Sequence, residues 1–162
     1  MKLITKTLLL LSVFICLSCK KDNKHKTSKD NSDYKTEFVA VLQKHLDAVS
    51  QKDLSTLETT LSPSGKMQLI LPQTEVTNTV KEFVEYHREW FKDTTWSFKT
   101  KIIDTTIQPA MGIAIVEIVY SEPERDGKPY FNRMTVSYAL EKQNGFWYVI
   151  KDHASSIEKS TD

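Results

Sequence analysis

Glu117, Tyr138 and His153 are the side chains with most to offer chemically, because a carboxylate, a phenol and an imidazole held together can move a proton on a bound molecule. A carboxylate buried near a histidine has its pKa raised, the usual equipment for proton abstraction. His45 and His87 add two imidazoles, each at an apolar position of a helical pattern, and Trp90 follows His87 on the same face. Glu117, Tyr138, His153, His87, His45 and Trp90 are therefore the candidate ligand-pocket residues, with Lys151 pointing the same way. The bland reading stands beside this one. Glu117 then serves as a hydrogen-bonded wall acid, each histidine as an amphipathic filler, and Trp90, Phe91, Trp96, Tyr138 and Trp147 as ordinary core. The histidines lack a spacing such as His-x-x-x-His, so no metal and no cofactor is expected. No Gly-x-Ser-x-Gly motif marks a nucleophile. No residue is assigned a catalytic role.

Strand register must position these groups. Asp126-Gly127 and Asn144-Gly145 are two-residue hairpin turns between long β-branched and aromatic runs, Ile113 to Tyr120, Tyr130 to Leu140 and Phe146 to His153. Counting outward from Asn144-Gly145 pairs Gln143 with Phe146, Leu140 with Val149, Tyr138 with Lys151 and Val136 with His153. Counting from Asp126-Gly127 pairs Val119 with Met134, Glu117 with Val136 and Ile115 with Tyr138. One face then carries Ile113, Ile115, Glu117, Val119, Met134, Val136, Tyr138, Leu140, Trp147, Val149, Lys151 and His153, and puts Glu117 and His153 in one row about 10 Å apart. The opposite face carries Val116, Ile118, Ala139 and Ile150. It is too apolar to be plain surface, and the expectation is a homodimer through it. A one-residue bulge near either turn would exchange the faces, and Pro123 and Pro129 make the first hairpin the weaker of the two.

Helices come first in the chain. Phe38, Val39, Leu42, His45, Leu46 and Val49 mark one from about Tyr34 to Ser50, and Leu54, Leu57 and Leu61 mark a short second one opened by Asp53. After a brief strand from Met67 to Leu71, Thr79 and Glu82 form a capping box for a third, whose apolar face is Val80, Phe83, Val84, His87, Trp90 and Phe91. Helices followed by a meander make an α+β domain with no internal repeat.

The first residues read as an address. Two lysines precede Thr7 to Leu17, whose only polar members are Thr7 and Ser12, and the run ends at Ser18-Cys19. This resembles a bacterial lipoprotein signal spanning 1–18, cut before Cys19 so that Cys19 is lipidated; an ordinary cleaved signal is the alternative. Residues 19–33 hold no apolar side chain after Cys19 and should form a flexible polar tether, in which His25 has no assigned role. Residues 34–158 are the domain and 159–162 a disordered tail. With 22 Lys and Arg against 21 Asp and Glu, the chain offers no field for nucleic acid, and no nucleic-acid partner is expected. The localisation expected is the bacterial cell envelope, lipid-anchored at either the inner or the outer membrane.

Gly112-Ile-Ala-Ile-Val-Glu117, Asp126-Gly-Lys-Pro129, Thr135 to Glu141, Asn144-Gly-Phe-Trp147 and Asp152-His-Ala-Ser155 together resemble the C-terminal half of SnoaL-like domains, in the nuclear-transport-factor-2-like or ketosteroid-isomerase-like superfamily. The branch most resembled contains the association domain of calmodulin-dependent kinases, where a Gly-x-Trp strand also ends in His-x-Ser. The Gln51-Lys52-Asp53-Leu54 turn adds to the likeness. The resemblance implies a cone-shaped α+β barrel, three N-terminal helices on a strongly bent antiparallel sheet, with a pocket at the open end and dimers through sheet faces. Glu117 and Tyr138 stand where the kinase domain has pocket arginines, so neither an anion-binding pocket nor a large ring is implied. Two functions stay open: a non-catalytic module binding a small hydrophobic ligand or dimerising, and a small isomerase, dehydratase or hydrolase using a carboxylate–histidine pair.

Overall fold

The computed structural model describes residues 31–73 and 75–160. The expected signal, Cys19, and nearly all of the tether, including His25, lie outside the described residues.

Helix α1 (Asn31–Gln51) turns Phe38, Leu42, His45, Leu46 and Val49 inward, as their three- and four-residue spacing requires. It begins three residues before the expected start. Lys52 takes a left-handed backbone conformation (φ 59), and Asp53 then caps α2 (Leu54–Glu58) by accepting the Thr56 N–H at 3.0 Å. Strand β1 (Lys66–Ile70) pairs with β2 (Val76–Thr79), a four-residue strand too short to carry a periodic signal. Thr79 caps α3 (Val80–Trp90), accepting the Glu82 N–H at 3.1 Å, while the Glu82 carboxylate takes the Asn78 N–H at 2.7 Å. The remaining chain is β3 (Ser97–Ile107), β4 (Met111–Arg125), β5 (Lys128–Gln143) and β6 (Phe146–Lys159).

The six strands form one sheet in the order β2-β1-β6-β5-β4-β3. All its pairings are antiparallel except that of β1 with β6, which is parallel. The helices cover one face, so the fold is the α+β cone that the family resemblance implied. Phe38 meets Trp147 edge-on at 5.4 Å between ring centroids, and Leu42, Leu46, Leu57, Phe83, Val116, Leu140 and Val149 close the core around them. Each such side chain contributes about 1.5–3 kcal/mol by leaving water. Gly112 lets this happen: a Cβ there would lie 2.5 Å from Phe38 Cε2.

Both hairpin turns are where the sequence put them. Asp126 and Gly127 have φ 55 and 81, Asn144 and Gly145 have φ 51 and 89, and Arg125 faces Lys128 as Gln143 faces Phe146. The register changes farther along. In the first hairpin Glu122 already faces Tyr130, so two residues of β4, Pro123 and Glu124, oppose Pro129 alone. Neither proline has an N–H to give the ladder, and the bulge accommodates both. In the second, Leu140 faces Val149 but Ala139 faces Lys151, which leaves Ile150 as an extra residue in β6. There the other neighbour of β6 changes too, from the Thr60–Leu61 segment, whose Thr60 carbonyl takes the Val149 N–H at 2.9 Å, to β1. A bulge bends the strand at the point where its neighbour is replaced.

Two expectations are corrected by these bulges. The helix-facing side carries Ala114, Val116, Ile118, Met134, Val136, Tyr138, Leu140, Trp147, Val149, Asp152 and Ala154. Val116 and Ile118 are therefore core and cannot belong to a dimer patch. The outward side carries Ile113, Ile115, Glu117, Val119, Arg133, Lys151 and His153, and Arg133 ties Glu117 (3.6 Å) to Glu158 (2.8 Å) across it.

Candidate functional site

Asp152 is the group the register shift brings inside. It faces Tyr138 across the β5–β6 pair and Leu69 across the β1–β6 pair, and it is 5% exposed. Its carboxyl accepts a hydrogen bond from the Ile70 N–H, while Oδ1 has no partner. Loss of water around it pushes its pKa from 3.8 up to about 8, against the smaller opposing pull of the Ile70 bond. Asp152 thus holds its proton at neutral pH. The Tyr138 hydroxyl is pushed well above its ordinary value, first by burial and then by Asp152.

Two helices supply the imidazoles. His45 of α1 sits with Nδ1 2.7 Å from Thr60 Oγ1, and the Thr60 hydroxyl is itself committed as donor to the Leu57 carbonyl at 2.6 Å. Nδ1 must then carry the proton, and Nε2 keeps a lone pair. His87 of α3 is fixed likewise, Nδ1–H donating to the Phe83 carbonyl at 2.8 Å. Burial, with His87 nearby, pulls the His45 pKa down to about 3; burial pulls His87 down to about 4, opposed by the Phe83 bond. Both rings are neutral at pH 7. His45 meets the Tyr138 ring edge-on at 5.7 Å, and the His87 ring lies against that of Phe83, tilted by 34° with 4.0 Å between centroids.

These groups line a cavity of about 360 Å³, within the range of small-ligand pockets. Tyr86, Trp90, Phe98, Tyr120 and Tyr130 form its aromatic wall, and Ile118, Met134 and Val136 its apolar floor. Trp90 is held by stacking on Trp96 at 4.3 Å, and Trp96 in turn lies under the Lys52 ammonium at 3.6 Å. At one side Arg125 covers Tyr130 at 3.4 Å and is paired with Glu122, whose carboxylate also takes the Tyr120 hydroxyl at 2.5 Å. Tyr86 is pushed up to about 12 by burial, Glu75 and Asp152.

Of the six pocket candidates, Tyr138, His45, His87 and Trp90 line this cavity and Glu117 and His153 do not. Glu117 faces Thr135 and pairs with Arg133, and His153 faces Ser137 on the exposed side; the carboxylate–histidine row expected from the two turns does not exist. Lys151 is exposed as well. Asp152, Tyr86, Tyr120, Tyr130, Arg125 and Asn132 were missed. One sequence signal for Asp152 was available: Val149-Ile150 places two apolar residues side by side, which marks a break in the alternation. Among the described residues no cluster of three or more His, Cys, Asp and Glu could hold a metal ion.

A family model for the calcium/calmodulin dependent protein kinase II association domain matches residues 34–158. The chain belongs to that family. Its fold is shared with a ketosteroid isomerase-like protein from Erwinia carotovora atroseptica (16% identity, 79% of this chain and 98% of that one, TM-score 0.67). It is shared also with a protein assigned as a calcium/calmodulin-dependent protein kinase type II association domain from Thiobacillus denitrificans (15%, 74% and 94%, TM-score 0.63). A protein assigned as a dehydratase of the NTF2-like family from Streptomyces avermitilis is similar in the same way (12%, 78% and 99%, TM-score 0.68). No curated protein matches the sequence. The association-domain chain thus shares its cone fold with NTF2-like and ketosteroid isomerase-like proteins, and identities this low carry the fold alone.

Proposed function

We propose that this association-domain protein is a bacterial envelope lipoprotein that holds one small, largely apolar molecule in the cavity between α1, α3 and the sheet, with Asp152 as its polar anchor. One observation carries the reading: Asp152, which holds a buried carboxyl oxygen without a partner, lines an aromatic-walled space large enough for a ligand. Unpaired buried polar atoms are costly, and a ligand donor meeting Oδ1 would remove that cost. The apolar run ending at Ser18-Cys19 and the polar segment after it support lipidation of Cys19 and a membrane tether. Dimerisation through the outward face is part of the proposal. Ile113, Ile115 and Val119 lie there, and the family takes its name from an association domain.

A second reading has its own support. Asp152 is held near neutrality beside Tyr138, with two neutral imidazoles opposite, which is the equipment for acid–base transfer on a carbonyl compound. Ketosteroid isomerase-like and dehydratase are the names of two proteins of the same fold. An isomerase or dehydratase therefore ranks above a hydrolase.

Native mass spectrometry of the protein recovered from its own membranes tests the binding reading. The expected spectrum shows one small molecule per chain in the wild type and its loss in Asp152→Asn. Bare protein in every preparation would overturn it. Turnover of the released compound on adding it back would favour the enzyme.

A further inference from the structure

The cavity sets unpartnered acceptors beside the hydroxyls of Tyr86, Tyr130 and Tyr138. Asp152 Oδ1 and Asn132 Oδ1 are both buried without partners, and both residues line the space. The Nδ1–H groups of His45 and His87 are spent on Thr60 and Phe83, so each ring has only a lone pair left to offer. Glu75 adds a second carboxylate to the lining. Arg125 is the basic side chain of that lining, and it is already engaged by Glu122 and by the Tyr130 ring. Among the described residues no ion pair offsets Asp152.

Around these acceptors runs a continuous aromatic belt. The Trp90 ring centroid lies 6.3 Å from Tyr86, 5.9 Å from Phe98 and 5.9 Å from Tyr120, which is 6.4 Å from Tyr130. Aromatic faces attract cations, and the belt already does so twice at its margins, with Arg125 over Tyr130 and Lys52 over Trp96. An oxyanion would meet two carboxyl groups here, and a basic side chain already paired with Glu122. An ammonium group brings three donors and a positive charge.

We propose that the cavity selects an organic cation, a primary amine on a compact apolar body, with the ammonium on Asp152 and the body against the aromatic belt. This rests on the ligand-binding reading above and adds the chemical class. Seating the ammonium ionises Asp152, so binding in the neutral range expels the carboxyl proton. The titratable groups facing it are His45 from α1, Tyr86 and His87 from α3, Tyr138 from β5, Tyr120 and Arg125 from β4, and Glu75 from the segment before β2. The histidines stay neutral above about pH 5, and the tyrosines keep their protons below about pH 10. Asp152 is then the group among them whose titration couples to binding between pH 6.5 and 8.

Isothermal titration calorimetry of the purified protein with two matched pairs tests the proposal: benzylamine against benzyl alcohol, and cyclohexylmethylamine against cyclohexylmethanol. The amines are expected to bind at least tenfold tighter than their alcohols at pH 8, and to weaken as the pH falls to 6.5. At pH 7 the heat should depend on the buffer, reporting release of nearly one proton per amine bound. Asp152→Asn should abolish the preference; if that variant does not fold, the buffer dependence of the wild type decides the matter. Alcohols binding as well as amines, or amines binding with no proton released, would overturn the cation assignment and leave the ligand cavity standing. Binding by neither class at millimolar concentration would overturn both.

Discussion

Replacing Asp152 by Asn keeps the shape of the side chain and removes its charge, so the variant measures what the buried carboxyl does to stability. Burial raises that carboxyl from 3.8 to about 8. In the unfolded chain it is ionised throughout the neutral range, whereas in the fold it stays protonated until about pH 8. Folding therefore takes up a proton, and stability falls as the pH rises, by about 1.4 kcal/mol per pH unit between the two values. His45 and His87 act in the opposite sense. Their folded values, about 3 and about 4, lie below the ordinary 6.5, so folding expels their protons and stability rises with pH until about 6.5. Above that the histidines add less than about 1 kcal/mol more, and they add it equally to both proteins. Over the interval from pH 6.5 to about 8 the difference between the two proteins isolates Asp152, and across it the wild type should lose about 2 kcal/mol relative to Asp152→Asn. Urea unfolding at the two ends of the interval reads the difference. With a denaturant dependence of about 2 kcal/mol per molar, the wild-type midpoint should drop by about 1 M relative to the variant. Equal pH dependence of the two proteins would refute the reasoning, because Asp152 would then ionise in the fold without penalty.

Gly112→Ala should destabilise the protein by about 1–3 kcal/mol in the same urea assay, since its Cβ would lie 2.5 Å from the fully buried Phe38 ring. A loss under a few tenths would mean that Phe38 moves aside freely. Cys19→Ala should abolish incorporation of labelled fatty acid and release the protein from the membrane fraction; a variant that stays lipid-labelled would remove the anchor from the proposal. Light scattering at tens of micromolar should give the mass of two chains for the wild type and of one for the Ile113→Lys, Ile115→Lys double variant, with unchanged helical circular dichroism. A monomeric wild type would end the dimer proposal, since a stable interface buries more than about 1,000 Å².

Helices and turns were legible because their signals are local. The spacing of Phe38, Leu42, Leu46 and Val49 marked α1, Asp53 and Thr79 marked helix starts, and both Asx-Gly turns have the positive φ angles their sequences call for. Register is not local in this way. A turn fixes which residues share a face only as far as the first bulge, which comes at Pro123-Glu124 opposite Pro129 in the first hairpin and at Ile150 in the second. The first had a visible cause in its prolines. The second follows from a change of neighbour along β6, which depends on the distant residues Thr60 and Gln68 and leaves no trace in the hairpin beyond the Val149-Ile150 pair. A shift of one residue put Asp152 inside and His153 outside, and with it moved the candidate chemistry from one side chain to its neighbour. Tyr138, His45, His87 and Trp90 were identifiable because Tyr138 lies between the two bulges, on the strand whose facing did not change, and the other three lie on helices.

Methyl-resolved NMR tests the central claim, that the space above Asp152 is a ligand site, most directly. Ile118, Met134, Val136 and Ala154 report from the cavity side of the sheet, while Ile113 and Ile157 report from its exposed side. On titration with a small-molecule extract of the source organism's envelope, the cavity methyls should shift and saturate while Ile113 and Ile157 stay in place. Unmoved cavity methyls, or shifts confined to Ile113 and Ile157, would contradict it.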